Sequence, residues 1–150
     1  MNTLFNLNYE DVKLNDSDHI ATPRWVVEKI YNLIGIQNYK SIWLPFDNYD
    51  SEFKLVADEL CLNYKSTHKY DENGNDFFVT SPPYNCDLLI SNPPFSIQND
   101  ILKRCFELVK GGGVKAFVLL LPLSTLETPF RADLYEEHID KLKVIIFKKL

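Results

Sequence analysis

Apolar and polar positions alternate along the chain in a way that predicts strands and helices in turn. The first 20 residues are polar and irregular, with Asn6, Asn8, Glu10, Asp11, Asn15, Asp16 and Asp18, and read as a loosely held N-terminal arm. Helical spacing starts next: Thr22 is placed to cap, Pro23 suits the first helical position, and Val26, Val27, Ile30 and Ile34 share one face before Gly35 offers a stop. Ser41–Leu44 reads as a short buried strand ended by Pro45. From Ser51 a second helical period carries Phe53, Val56, Ala57, Leu60 and Cys61 inward. Tyr64–His68 predicts a second strand, Tyr70–Asn75 carries turn chemistry, and Phe77–Val79 predicts a short third strand.

The second half is more regular. Asp87–Ser91 is an apolar strand that feeds straight into Asn92-Pro93-Pro94-Phe95. Ser96 is a candidate cap for a helix whose inner face is Ile101, Leu102, Cys105, Phe106 and Val109, stopped by Gly111-Gly112-Gly113. Val114–Leu121 is a continuous apolar run of the kind buried on both faces of a sheet. A loop over Pro122–Thr128, a helix from Pro129 to about His138 and a last strand at Leu142–Phe147 follow. Strands alternating with helices predict the α/β class, a doubly wound, mostly parallel sheet. No repeat or linker interrupts 21–150, which predicts one domain there.

Composition narrows the class. Among 150 residues, 45% are hydrophobic and 13% aromatic, enough for a packed core and too many for a disordered chain. No apolar stretch approaches the ~20 residues that span a bilayer, and the first residues lack the basic flank of a secretory signal. A cytoplasmic protein without a membrane partner is expected. Cys61, Cys86 and Cys105 form no Cys-x-x-Cys pair, and His19, His68 and His138 show no ligand spacing, so no metal is expected and the histidines are placed on the surface. The net charge of −5 gives no large electrostatic footprint for phosphate. Trp25 and Trp43 are expected in the core. Lys141, Lys143, Lys148 and Lys149 form a small basic end read as a solvated face.

Ligands of open α/β sheets bind at the carboxyl ends of the strands. The loops that matter are then Pro45–Asp50, Asp71–Asp76, Asn92–Phe95 and Pro122–Thr128, where Ser124 and Thr125 are candidate lining residues. Asn92–Phe95 is the most specific. Two prolines stiffen the backbone, Asn92 offers an amide oxygen, and Phe95 offers a flat face. Paired acceptors beside an aromatic plate suit a planar ring bearing an NH2. Holding both N–H groups localises the nitrogen lone pair, which can then attack an activated methyl group, with orientation supplying much of the catalysis.

This corner resembles the Asn/Asp-Pro-Pro-Phe/Tyr motif of the S-adenosylmethionine-dependent adenine-N6 DNA methyltransferases of phage and restriction-modification type. Asp18-His19-Ile20-Ala21-Thr22-Pro23, before the first buried strand, resembles the same family's N-terminal cofactor motif, and the order of segments agrees over roughly 18–150. The resemblance implies a Rossmann-like methyltransferase core and S-adenosylmethionine as cofactor. It implies that Asn92, Pro93, Pro94 and Phe95 are catalytic, with Asn92 and the Pro93 carbonyl holding the target amine and Phe95 stacking on the base. It further implies cofactor contacts from Thr22, Pro23, Pro45 and Asp47, from Asp76 to the adenine amine, and from Asp71 to the ribose.

The chain departs from the family in its first-strand loop, Pro45-Phe46-Asp47-Asn48-Tyr49-Asp50-Ser51-Glu52-Phe53, which has no glycine, although glycine there permits positive φ and close ligand approach. Tyr49, Asp47, Asp50 and Glu52 are expected to crowd the cofactor's methionine end. Ser81-Pro82-Pro83-Tyr84 resembles the variant corner of some cytosine-N4 enzymes, but only a short strand is expected before it. No separate target-recognition domain is visible, and only Lys148–Leu150 follow Phe147. DNA is the implied partner, with a missing region or a partner protein reading sequence. The alternatives are a methyltransferase-like binding module that has lost its cofactor, and a related enzyme acting on amides or RNA.

Overall fold

The computed structural model describes residues 2–6, 21–68 and 76–147. Six parallel strands form one sheet in the order β3-β2-β4-β5-β1-β6: β1 (Asn2–Asn6), β2 (Ile42–Leu44), β3 (Tyr64–Ser66), β4 (Cys86–Ser91), β5 (Val114–Leu121) and β6 (Leu142–Ile146). Each adjacent pair runs parallel. The helices are α1 (Arg24–Ile34), α2 (Glu52–Glu59), α3 (Gln98–Lys110) and α4 (Pro129–Glu136). None of them is long and apolar enough to cross a membrane.

The alternation of side chains along the central strands explains the layers. Ile42, Leu44, Leu88, Ile90, Ala116, Val118 and Leu120 face one way, onto Val26, Val27, Ile30 and Tyr31 of α1 and Phe53, Val56 and Ala57 of α2. Trp43, Leu89, Phe117, Leu119 and Leu121 face the other way, onto Ile101, Leu102, Cys105 and Phe106 of α3 and Tyr135 of α4. Helices therefore cover both faces of a parallel sheet, as the α/β pattern requires. β5 is buried at every position except Lys115. Asp87 pins the amino end of β4: it accepts from the Lys40 and Ser41 amides at 2.8 and 3.2 Å and from Lys115 Nζ at 2.5 Å.

Several local expectations give way to tertiary structure. The N-terminal arm is not loose over its first residues: 2–6 form β1, inserted between β5 and β6, with Thr3 opposite Val118 and Lys143. The rest of that arm, 7–20, lies outside the described residues, as does the turn at 69–75. α1 starts one residue late, with Pro23 at its N-cap, and stops at Gly35, whose φ of 63° gives the left-handed turn that ends the helix. Phe77–Val79 is a turn rather than a strand, because the Asp76 Oδ1 accepts the Phe78 amide at 2.9 Å and offers the backbone a local partner. Ser96 does not cap α3; a single 3-10 turn, Phe95–Ile97, precedes it. Trp25 is half exposed, whereas Trp43 is fully buried and donates from Nε1 to Thr67 Oγ1 at 2.9 Å. His138 is half-buried and stacks on Phe106 with centroids 4.5 Å apart.

Candidate functional site

From β2 the chain winds outward to β3, then crosses back to place β4 on the other side of β2 and continues to β5. The connections leaving β2 and β4 thus part in opposite directions, and such a switch point, at the carboxyl ends of the strands, is where open α/β sheets bind their ligands. Pro45–Ser51 and Asn92–Phe95 are the two loops.

Asn92 and Thr22 meet here. The Asn92 Nδ2 donates to Thr22 Oγ1 at 3.0 Å, joining segments 70 positions apart in sequence. Thr22 is buried, and Pro23 begins α1 beside it. The bond orients the Asn92 amide through its nitrogen. Pro93 is buried; Pro94 is half-buried, extended at φ −59° and ψ 128°, and leads into the turn that holds the half-buried Phe95. The structure brings Thr22, Pro23 and the whole Asn92–Phe95 corner into one neighbourhood.

The glycine-free loop is fastened from inside. Asp47, 6% exposed, accepts from Ser91 Oγ at 2.8 Å through Oδ2 and from Ser51 Oγ at 2.5 Å through Oδ1. Burial pushes its carboxyl up to about 6, against the two serine hydrogen bonds that favour the ion. Asp47 therefore ties the loop after β2 to the last residue of β4, the residue before Asn92, and turns into the fold. Glu52 approaches Arg24 Nη1 at 3.9 Å, while Tyr49 and Asp50 are exposed. Arg24 also pairs with Glu28 and Glu59, so α1 and α2 are bridged behind the loop.

Phe46, in the same loop, packs on Phe77 with centroids 4.8 Å apart, and Phe77 packs on Trp43 at 5.5 Å. This aromatic stack sets the exposed Asp76 beside the loop after β2. Asp71 lies outside the described residues, as do Asp18, His19 and Ile20. Pro45 is buried at the end of β2. Ser81–Tyr84 leads into the amino end of β4, where Pro82 packs close to Gly113 at the entrance to β5. That corner is at the opposite end of β4 from Asn92.

Sequence reasoning missed Ser51 and Ser91, which hold Asp47, and Arg131, which is buried in the first turn of α4. An arginine following Pro129 on a face shared with Tyr135 was the available signal for the last. Thr125 Oγ1 donates to Gln98 Oε1 at 3.0 Å, knitting the loop after β5 to the start of α3. Among the described residues, no cluster of His, Cys, Asp and Glu is placed to hold a metal ion. Comparison with protein-family models, with curated proteins and with solved structures finds no match to this chain.

Proposed function

We propose that this protein is an S-adenosylmethionine-dependent methyltransferase acting on the N6 amine of adenine in DNA, with the parallel sheet serving as a Rossmann-like methyltransferase core. The supporting observation is the hydrogen bond between Asn92 and Thr22 at the point where the strand order reverses. Two segments chosen from sequence for one chemistry meet at the switch point, where open α/β sheets bind their ligands.

The residues present fit the cofactor in two respects. Asp47 is turned inward, which clears one carboxylate from the space above the loop, and Asp76 is exposed for an amino group. S-adenosylmethionine supplies an electrophilic methyl group on a sulfonium. The chain's own part is orientation. The Asn92 side-chain oxygen and the Pro93 carbonyl accept the two N–H groups of the base, and the Phe95 ring covers its face. The nitrogen lone pair is thereby aimed at the methyl carbon, and a proton leaves the nitrogen for water after transfer. Apolar Ile97 and Leu123, in the turns after β4 and β5, and Phe130, in the first turn of α4, stand exposed and offer apolar surface to a base drawn out of the stack.

Titration with S-adenosylmethionine by calorimetry tests the cofactor, and transfer of a labelled methyl group to DNA tests the reaction. Asn92→Ala is expected to lower transfer about 100-fold or more with cofactor affinity little changed. Loss of both together refutes the role given to Asn92. The glycine-free loop favours a second reading, a methyltransferase-like binding module, which predicts neither heat nor thermal stabilisation at high cofactor.

A further inference from the structure

Beside this corner the protein buries a positive charge that has no counter-charge among the described residues. Arg131 is only 6% exposed. Its Nε donates to Asn99 Oδ1 at 2.6 Å and its Nη1 to the Ser124 carbonyl at 3.1 Å. Both acceptors are neutral, and no carboxylate among the described residues pairs with it. Nε and Nη1 thus each hold one neutral acceptor, and Nη2, which holds none among the described residues, is not enclosed and keeps its N–H donors for a partner from outside. Taking an ion out of water is costly unless something pairs with it.

The surroundings raise the cost further. Asn99 lies in the first turn of α3, a helix of 13 residues whose amino end carries partial positive charge. Asp100 lies in the same turn but is exposed and makes no ion pair with Arg131. Two buried polar atoms on the same segment lack a hydrogen-bond partner among the described residues: Thr128 Oγ1 and Tyr135 Oη. Tyr135 is 7% exposed and sits one turn beyond Arg131, near enough for the guanidinium charge to act on its hydroxyl. A cation, a helix amino end and the unpartnered Tyr135 hydroxyl lie close together, and no carboxylate among the described residues pairs with the cation.

We propose that Arg131 and the loop after β5 form a binding site for a phosphate oxyanion, filled in the working complex by the phosphodiester beside the base at the Asn92 corner. Its place supports this: Asn99 follows Phe95 by one turn, beyond the carboxyl end of β4. The anion site stands on Arg131; its assignment to a nucleotide rests on the methyltransferase reading.

The full chain, labelled with 15N, is titrated with inorganic phosphate at constant ionic strength while the Arg131 Nε–H and Asn99 side-chain amide signals are followed. Saturable shifts are expected with phosphate, none with chloride, and none in Arg131→Gln. Their absence in the unaltered protein overturns the site, and this measurement does not depend on the variant folding. A second arm compares an adenine-containing single-stranded oligonucleotide with one carrying a neutral methylphosphonate next to the adenine. The neutral form is expected to bind about tenfold more weakly. Equal affinity, or no binding of either, overturns the nucleotide assignment, and saturable shifts with inorganic phosphate then identify a free-phosphate site. Methyl transfer without phosphate shifts refutes this inference alone; phosphate shifts without methyl transfer refute the methyltransferase reading, and the nucleotide assignment with it, and leave the anion site standing.

Discussion

Asp47→Asn should raise stability at neutral pH and flatten its dependence on pH. The Asp47 carboxyl is enclosed where the loop after β2 meets the end of β4, and burial lifts its pKa from 3.8 to about 6. In the unfolded chain the acid ionises near pH 4. Folding thus favours the protonated group, so its stabilising contribution is complete below about pH 4 and is lost as pH rises through about 6. About two pH units at about 1.4 kcal/mol each make this loss about 3 kcal/mol. Asn has the same shape, stays neutral throughout, and can accept from one serine hydroxyl while donating to the other. Urea unfolding of both proteins between pH 4 and 8 gives the difference in stability, in which the other titrating groups cancel. That difference should move by about 3 kcal/mol in the variant's favour up to about pH 7 and then level off. A difference that stays flat, or drifts the other way, shows that Ser51 and Ser91 outweigh burial and that Asp47 is ionised throughout.

Asp87→Ala removes the acceptor of two backbone amides and should cost about 1–3 kcal/mol by denaturant midpoint. Lys115 and those amides hold the Asp87 carboxyl below its ordinary range, so this stability is present above the ordinary pKa and lost as pH falls through the lowered one. Gly35→Ala puts a Cβ 2.8 Å from Asn38 Nδ2 at a φ of 63° and should cost about 1–2 kcal/mol. Leu88→Ala, in a fully buried position, should cost about 2–5 kcal/mol, whereas Tyr49→Ala, 81% exposed on the glycine-free loop, should change stability by less than about 0.5 kcal/mol.

What the sequence disclosed was what neighbouring residues decide. The Val114–Leu121 run is buried nearly throughout because its apolar pattern leaves no alternative, and Gly35 ends α1 because only a left-handed residue suits that turn. β1 was hidden because five residues bounded by two asparagines carry little signal, and the pairing that makes them a strand comes from the far half of the chain. The carboxylates of the loop after β2 were read as crowding a ligand, since sequence does not say which acid is turned inward to a pair of serines. Thr22 was read as a helix cap; its partner is Asn92, and no local rule links the two. Arg131 escaped notice because a charged residue two places after a helix-opening proline is usually on the surface.

Among the described residues β6 borders a single strand, and that strand is β1. The final segment of the sheet is consequently fastened to the molecule through its opening residues. During synthesis Asn2–Asn6 emerges before its partners and must wait, unpaired, until Val118–Leu121 and then Leu142–Ile146 arrive. Closure at such long range is slow, and once β5 is made it presents an open hydrogen-bonding edge until β1 docks on it. Trimming the first six residues would cut two seams at once, stripping the β5 flank and setting the carboxyl-terminal strand adrift.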